Sequence, residues 1–456
     1  MKNLQFFNAK LLSKYNVSGP RYTSYPTALE FTEKFDNDEL NKAIKNSPNN
    51  GLSLYVHIPF CHRLCYYCGC NKVVTRQQGK TETYLAFLEK EIRSRAEYFK
   101  DYTIKQMHWG GGTPTFLSYQ QISHLVSLLK ANFNLADDAE ISIEVDPREI
   151  ELEMADHLRS VGFNRISIGV QDIDPKVQKA INREQSTDFI CALIERAKDV
   201  GFKSINIDLI YGLPFQSVAS FSKTLDKVKE MDPHRISLFS YAHLPSRFSS
   251  QRKLRDEWLP NVEQKFALMK HSIETLCSFG YEFIGMDHFA KPDDELAVAQ
   301  REGVLHRNFQ GYTTLGECDL LGLGVSSISA IGNAYSQNKK ELKAYYQAVD
   351  AAGHAVEKGL TLNQDDLIRG AVIHQLMCNL YLDKEQINDQ YNIDFDSYFT
   401  DEIQQLKTFI DDDLLVNTNQ YIKIDQAGRL LVRNICMSFD AYMKAQVSQQ
   451  RFSRVI

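Results

Sequence analysis

The chain has 456 residues, 43% of them hydrophobic, which is enough to bury a large core and to form one big domain with smaller additions. Its 52 basic and 58 acidic side chains give a formal charge of −6, which argues against broad electrostatic binding to nucleic acid or to an acidic membrane surface. The N-terminal segment lacks the apolar core of a secretory signal, and no later run is long enough to span a bilayer, so we expect a cytoplasmic protein.

The first 50 residues form the first predicted region, an N-terminal arm and lead-in. The arm contains Pro20, Arg21, Tyr22, Tyr25 and Pro26. Proline has no amide hydrogen and its ring restricts the backbone, so two prolines this close oppose a regular helix. We therefore expect the arm to pack in an extended form.

Six short apolar runs follow, and segments of helical period separate them. They are LSLYVHIPF from Leu52, QMHWGGG from Gln106, ISIEVDP from Ile141, RISIGVQ from Arg165, SINIDLIYG from Ser204 and RISLFSYAH from Arg235. Strands that alternate with helices predict parallel pairing through right-handed crossovers. Polar residues follow nearly every run, which favours an incomplete (β/α)6 barrel with one mouth over a doubly wound sheet. We place this α/β barrel at residues 51–355.

The third predicted region, residues 356–456, is mostly helical and ends with YIKIDQAGRLLVRNI, a pattern of a short strand, a turn and a final helix. Residues 361–456 carry 9 basic and 14 acidic side chains, a poor balance for a DNA-binding face. We interpret this region as a cap or packing domain.

The strongest chemical signal is a cysteine loop directly after the first predicted strand, HIPFCHRLCYYCGC. Cys61, Cys65 and Cys68 have the spacing Cys-x3-Cys-x2-Cys, and Cys70 follows two residues later. Three thiolates on a 4Fe-4S cluster would leave one iron open to the amino and carboxylate groups of a methionine moiety. Four thiolates could instead close a structural zinc site, so this alternative stays open.

Other polar positions have both a structural and a functional interpretation. The run Gly110 to Gly112 is either a tight turn or a backbone that a ligand can approach closely. Glu144 and Asp208, near strand ends, are either helix caps and arginine partners or carboxylates that hold ribose hydroxyls. Arg183 is either a solvated helix residue or a two-pronged carboxylate ligand.

The cysteine loop resembles the signature of the radical S-adenosylmethionine superfamily. The combination of PRYTSYPTA, YVHIPFCHRLCYYCGC, HWGGGTPT, EVDP, NIDLIYGLP and GMDHFA with the ending FSRVI is similar, from end to end, to the oxygen-independent coproporphyrinogen III oxidases of bacteria. The resemblance implies Cys61, Cys65 and Cys68 as cluster ligands and two S-adenosylmethionine molecules in the site. Around these it implies Tyr55, Tyr67, Gly112, Thr113, Glu144, Gln171, Arg183, Asp208, Ala242 and Ile328.

The resemblance also implies a reaction, the anaerobic oxidative decarboxylation of two propionates of coproporphyrinogen III to vinyl groups. We also expect an electron donor such as a flavodoxin-type protein. We expect the enzyme to be a monomer. Arg21 and Tyr22 in the arm are either propionate anchors or solvated surface residues. The main alternative is a haem chaperone of the same superfamily branch, although such relatives typically have phenylalanine in place of Cys70 and lack the PRYTSYPTA arm. A radical methyltransferase is a further alternative.

Overall fold

The structure is a computed structural model that describes residues 9–443, and it divides into two compact units. The sheet unit comprises Phe31–Thr275 and Glu317–Thr361, and the helical unit comprises the described parts of Met1–Glu30, Leu276–Gly316 and Leu362–Ile456. The boundaries predicted after residues 50 and 355 stay predictions. The FSRVI ending lies outside the described residues.

The strands and helices alternate along most of the chain. The strands are β1 (Gly51–Ile58), β2 (Phe60–Cys61), β3 (Val73–Val74), β4 (Thr103–Gly111), β5 (Asn134–Val145), β6 (Arg165–Gln171), β7 (Ser204–Tyr211), β8 (Arg235–Ser240), β9 (Glu282–Gly285), β10 (His288–Ala290), β11 (His306–Asn308), β12 (Gly311–Thr313), β13 (Cys318–Leu323), β14 (Ile328–Ile331), β15 (Ala334–Asn338), β16 (Val356–Thr361), β17 (Tyr381–Asp383), β18 (Leu415–Asn417) and β19 (Tyr421–Ile424). The α-helices are α1 (Ala9–Lys14), α2 (Asn37–Asn46), α3 (Gly79–Ala96), α4 (Tyr119–Asn132), α5 (Glu153–Val161), α6 (Pro175–Ala180), α7 (Thr187–Asp199), α8 (Val218–Met231), α9 (Val262–Ser278), α10 (Glu295–Glu302), α11 (Leu342–Ala352), α12 (Gln364–Asn379), α13 (Lys384–Tyr391), α14 (Phe395–Tyr398), α15 (Thr400–Asp411) and α16 (Val432–Met437). Short 3-10 helices occur at Ala28–Glu30, Pro114–Phe116, Pro147–Glu149, Ser249–Lys253, Asp256–Trp258 and Gln426–Leu431.

The six predicted strands are confirmed as β1, β4, β5, β6, β7 and β8, which pair in that order and in parallel. The order is linear, so the six strands form an open, incomplete barrel rather than a closed one. Strand β1 is buried along nearly its whole length, as is usual for a parallel strand covered on both faces.

The sheet unit contains more strands than the sequence predicts. On the other side of β1 lies β13, also parallel, and it is followed by β14, β15 and β16 in antiparallel order. Strand β5 also begins earlier than predicted, at Asn134, and its pairing with β4 is interrupted by a bulge after Ile104. The sheet therefore extends past the predicted first strand.

Local sequence explains where several helices of the sheet unit begin and end. Ser118 Oγ accepts a hydrogen bond from the Gln121 amide, and Gln121 Oε1 accepts one from the Ser118 amide, which forms a capping box at the start of α4. Helix α5 ends at Gly162, which has a φ of 118°. These helices connect consecutive parallel strands, and the carboxyl ends of those strands consequently share one edge.

The helical unit contains the arm and the C-terminal region. The predicted strand, turn and helix in the segment YIKIDQAGRLLVRNI are confirmed as β19, the 3-10 helix Gln426–Leu431 and α16. Residues 19–27 of the arm contain neither helix nor strand, and the Pro20 carbonyl accepts a hydrogen bond from Arg433 Nε at 2.8 Å. Among residues 9–443, every helix is too short or too polar to cross a membrane.

Candidate active site

The cysteine loop is fixed at both of its ends. Strands β2 and β3 pair in parallel, with Cys61 opposite Val74, and so bracket the residues between them. In the middle of the loop, the Tyr66 amide donates to the Ile181 carbonyl at 3.0 Å. The four cysteines carry free thiols; those of Cys61 and Cys65 are buried, and Cys70 is exposed. The backbone therefore holds the thiols in set positions.

Hydrogen-bond donors surround the sulfur atoms. Cys65 Sγ accepts from Arg148 Nη2 at 3.2 Å and from Arg183 Nη1 at 3.5 Å. Cys61 Sγ accepts from Thr113 Oγ1 at 3.6 Å, and burial raises the pKa of the Cys61 thiol to about 12. A guanidinium beside sulfur favours the thiolate, which is the form that binds iron.

Three of these thiols fit a 4Fe-4S cluster by their chemistry. Within residues 9–443 no group of three or more His, Cys, Asp and Glu side chains is arranged to hold a single metal ion. Cys61, Cys65 and Cys68 nevertheless lie within eight residues of one loop, and the charges of Cys65 and Cys68 act on the Cys61 thiol. Thiolates with N–H and O–H donors directed at sulfur are the environment in which proteins hold and tune iron–sulfur clusters.

A side chain at any glycine of the Gly110–Gly112 run would displace a neighbouring group. A Cβ at Gly110 would lie 2.9 Å from Glu144 Oε1, and a Cβ at Gly112 would lie 2.6 Å from the Pro59 carbonyl carbon. Gly111 has a φ of 114°, and a Cβ there would lie 2.5 Å from the His57 ring. The run packs the end of β4 against the start of the cysteine loop. That a ligand approaches this glycine backbone closely stays a prediction.

Glu144 is held at the end of β5 by two donors. Its Oε2 accepts from the Gly111 amide at 3.2 Å, and its Oε1 lies 3.3 Å from His108 Nε2. Burial opposes ionisation, but these hydrogen bonds outweigh it, so the pKa of Glu144 lies below its ordinary value. Glu144 is therefore a fixed carboxylate at neutral pH.

Arg183 belongs to a buried ion-pair network. The sequence analysis singled out Arg183 but not its partners in that network. Its Nη1 lies 3.2 Å from Asp146 Oδ2, and its Nη2 donates to the Gly169 carbonyl at 2.7 Å. Arg148 pairs with the same carboxylate, Nη2 to Oδ2 at 2.5 Å. Although burial opposes it, the two guanidinium groups hold the pKa of Asp146 well below its usual range. The signal for Arg148 was its place in EVDPRE, directly after β5.

Asp208 and Gln171 occupy neighbouring strand ends. Asp208 accepts hydrogen bonds from Asn206 Nδ2 at 2.9 Å and from Ser167 Oγ at 3.4 Å, and burial, together with the charge of Glu144, raises its pKa to about 6. Gln171 has a φ of 66°, and its buried Oε1 meets no donor among the described residues. The Nε of Arg183 is also buried, and the described part of the chain offers it no acceptor. Unsatisfied groups of both kinds at one edge fit a polar ligand.

The remaining predicted cofactor contacts also belong to the sheet unit. Tyr55 stacks on His108 at a centroid distance of 6.0 Å. The carbonyls of Tyr67 and Ala242 are joined by one side chain, because Gln251 Nε2 donates to them at 2.9 and 3.2 Å. Sequence reasoning missed Gln251, which lies on a 3-10 helix that no local pattern predicted. Ile328 is the first residue of β14.

The two candidate propionate anchors of the arm lie in the helical unit and already have partners. The Tyr22 hydroxyl donates to Asp440 Oδ2 at 2.9 Å. Arg21 forms an ion pair with Asp287. Their role in binding propionates stays a prediction.

The chain is similar to known proteins over almost its entire length. Two family models match: "Radical SAM superfamily" over residues 55–228 and "HemN C-terminal domain" over residues 362–431. The oxygen-independent coproporphyrinogen III oxidase of Salmonella typhimurium is 57% identical over 98% of both chains, and that of Pseudomonas aeruginosa is 48% identical over 99% of both. The solved structure of the Escherichia coli coproporphyrinogen III oxidase, a radical SAM enzyme, matches 96% of this chain and 100% of its own at 55% identity, with a TM-score of 0.93.

Proposed function

Because the chain belongs to the family of oxygen-independent coproporphyrinogen III oxidases, in the radical SAM superfamily, we propose that it converts coproporphyrinogen III to protoporphyrinogen IX. The reaction is the anaerobic oxidative decarboxylation of two propionate side chains to vinyl groups. The observation that carries the proposal is the fixed loop of free thiols at the strand-end edge of an open barrel, in a chain that its relatives match from end to end.

Cys61, Cys65 and Cys68 would hold a 4Fe-4S cluster, with S-adenosylmethionine beside it. When bound, these cofactors supply a carbon-centred radical strong enough to remove an unactivated hydrogen from a propionate. The residues of this chain bind and orient. Arg148 and Arg183 place positive charge next to the Cys65 sulfur, where it stabilises a thiolate ligand.

We further propose that two S-adenosylmethionine molecules bind at the strand ends. Glu144, ionised and fixed by the Gly111 amide, would accept hydrogen bonds from ribose hydroxyls. Gln171 and Arg183 each offer a buried polar atom that lacks a partner among the described residues. The full set of proposed contacts is Tyr55, Tyr67, Gly112, Thr113, Glu144, Gln171, Arg183, Asp208, Ala242 and Ile328.

The same proposal extends to the electron donor, the oligomeric state, the cellular location and the absence of a nucleic-acid partner. The electron donor would be a flavodoxin-type protein, and the enzyme would act as a monomer in the cytoplasm without a nucleic-acid partner. The haem chaperone alternative has no support among the full-length relatives reported above, which are named as oxidases.

An anaerobic turnover assay tests the function. The reconstituted and reduced protein, with S-adenosylmethionine and a cell extract as the source of the electron acceptor, should convert coproporphyrinogen III to protoporphyrinogen IX. Because two propionates are decarboxylated, 5′-deoxyadenosine and methionine should each form at about two per product, apart from any uncoupled cleavage. Air should abolish the activity. Tight haem binding with S-adenosylmethionine cleavage but no vinyl product would establish the chaperone instead.

A further inference from the structure

Arg148 is fixed against the cysteine loop by contacts from every nitrogen of its guanidinium group. Its Nε donates to Asp146 Oδ1 at 2.9 Å, its Nη1 donates to the Asn182 carbonyl at 3.2 Å, and its Nη2 donates to Cys65 Sγ at 3.2 Å. Asn182 also holds the loop itself, because its Nδ2 donates to the Leu64 carbonyl at 2.7 Å. The guanidinium group therefore keeps one position, with one of its nitrogens on the sulfur.

The three charged side chains of this network carry a net positive charge next to Cys65. Arg148 and Arg183 both donate to the Cys65 sulfur, and both pair with the single carboxylate of Asp146. Although burial opposes ionisation of Asp146, the two guanidinium groups hold its pKa well below its usual range, so it is charged at neutral pH. The three side chains are 4%, 6% and 14% exposed for Arg148, Arg183 and Asp146, so salt screens their charges little.

Fixed charges beside a ligand sulfur act on the electron that an iron–sulfur cluster accepts. Reduction transfers one electron from the reduced donor protein to the cluster, which becomes more negative by one charge. A nearby positive charge stabilises the reduced state more than the oxidised state, and a negative charge does the opposite. Hydrogen bonds to the sulfur act in the same direction as positive charge, because they draw electron density from the ligand.

We infer that Arg148 and Asp146 set the reduction potential of the cluster, with Arg148 raising it and Asp146 lowering it. The inference rests on the proposed function, because that function makes Cys65 a ligand of the cluster. Both residues act through Cys65. Arg148 acts on the sulfur directly, and Asp146 also positions the two arginines that donate to it.

An anaerobic redox titration tests the inference without turnover. The reconstituted protein is titrated with dithionite, and the reduced cluster is quantified by electron paramagnetic resonance. S-adenosylmethionine is left out, so that a change in its binding does not alter the potential. We expect Arg148→Gln to lower the equilibrium constant for one-electron reduction about tenfold, which is a shift of about 59 mV. Arg148→Lys keeps the charge, so its potential should lie between those of the wild type and Arg148→Gln.

Asp146→Asn should shift the potential in the opposite direction. The substitution removes the negative charge but keeps an oxygen that accepts a hydrogen bond from an arginine. We expect the equilibrium constant for reduction to rise about tenfold. A general loosening of the loop would move the potentials of Arg148→Gln and Asp146→Asn in the same direction, and that result would overturn the inference.

Arg63→Gln is the matched control from the cysteine loop. Arg63 lies two residues before Cys65, but its side chain is 52% exposed and pairs with Glu149. At about 1 M salt, where exposed charges are screened, its potential should equal that of the wild type, whereas the shifts in the buried variants should persist. Wild-type potentials in Arg148→Gln and Asp146→Asn would overturn the inference. If Arg148→Gln holds no cluster, Arg148→Lys and Asp146→Asn decide the question by the same criterion.

The inference and the proposed function fail separately. If the wild type forms no vinyl product but Arg148→Gln and Asp146→Asn shift the potential in opposite directions, the proposed reaction fails and the role of the two residues stands. If the wild type forms the product and all the potentials agree, only the inference fails. Iron content and the thermal unfolding midpoint, measured on every variant, report whether each variant is loaded and folded.

Discussion

The Cys65 sulfur accepts hydrogen bonds from two guanidinium groups, those of Arg148 and Arg183. Both arginines also pair with Asp146, so their positions are over-determined. Positive charge at this place suits a thiolate ligand of iron, whereas the oxygen of an alcohol is a poor ligand for iron.

Cys65→Ser should therefore remove the cluster. The measurement is iron and sulfide content, with the visible absorption spectrum, after anaerobic reconstitution. Cys70→Ser is the control from the same loop: Cys70 is exposed, and we expect that variant to keep full iron and sulfide. A complete cluster in Cys65→Ser would refute the ligand assignment. Loss of the cluster in Cys70→Ser would mean a site closed by four thiolates, with no iron left open for S-adenosylmethionine.

Asp208 makes the cofactor-free protein less stable as the pH rises. Burial raises its pKa from 3.8 to about 6, so the folded state binds this proton more tightly than the unfolded state does. The loss in the free energy of unfolding is absent below about pH 4, grows between pH 4 and 6, and reaches about 3 kcal/mol at neutral pH. Asp208→Asn should then raise the thermal unfolding midpoint at pH 7.5 and leave it almost unchanged at pH 4.

The control for this comparison is Asp226→Asn, which changes an exposed carboxylate on α8. It should shift the midpoint little at either pH. If Asp208→Asn shifted the midpoint equally at both pH values, the effect would come from altered hydrogen bonds to Asn206 and Ser167 and not from the buried charge.

Helix α3 connects two parts of the sheet through polar side chains on its buried face. The Tyr84 hydroxyl donates to the His57 carbonyl at 2.6 Å, at the end of β1. About two turns further on, Glu91 Oε2 accepts from the Gly324 amide and from the Tyr345 hydroxyl, both at 2.7 Å. The helix therefore fixes the end of β1 relative to the turn that precedes β14.

Glu91→Gln should weaken this connection, because an amide nitrogen cannot accept the hydrogen bonds that the carboxylate accepts. We expect a loss of about 1.5–3 kcal/mol in the free energy of unfolding, measured with urea, and weaker S-adenosylmethionine binding through displacement of Ile328. Glu82→Gln, on the exposed face of α3, is the control and should change neither quantity. Equal losses in the two variants would show that the buried network is unimportant.

Periodicity and β-branched runs were enough to predict the six parallel strands and the final strand, turn and helix, because both signals are local. Strand β13 was not predicted, although CDLLGL is an apolar run, since its partner β1 lies more than 250 residues earlier and no local signal identifies that pairing. The same limit applies to Arg148 and Gln251. Their sequence positions were visible, but their contacts with Cys65, Tyr67 and Ala242 depend on the tertiary fold.

At the scale of the whole molecule, the two compact units are discontinuous in sequence. The helical unit is assembled from three separate stretches of chain, and the sheet unit from two. Sequence analysis predicts consecutive domains because it relies on the composition of successive segments. Composition does not show that residues 276–316 belong to the same unit as the C-terminal region. The hairpin of β11 and β12 lies within that stretch.

The contact between Tyr22 and Asp440 spans 418 residues, and it has a consequence for synthesis on the ribosome. At 5–20 residues per second, the arm emerges about 20–80 seconds before the residue that its hydroxyl binds. During that interval the aromatic side chains of the arm have no native partner near residue 440, although most of the sheet unit has already been made. We expect the nascent arm to be a chaperone substrate and the helical unit to be completed only after release of the chain.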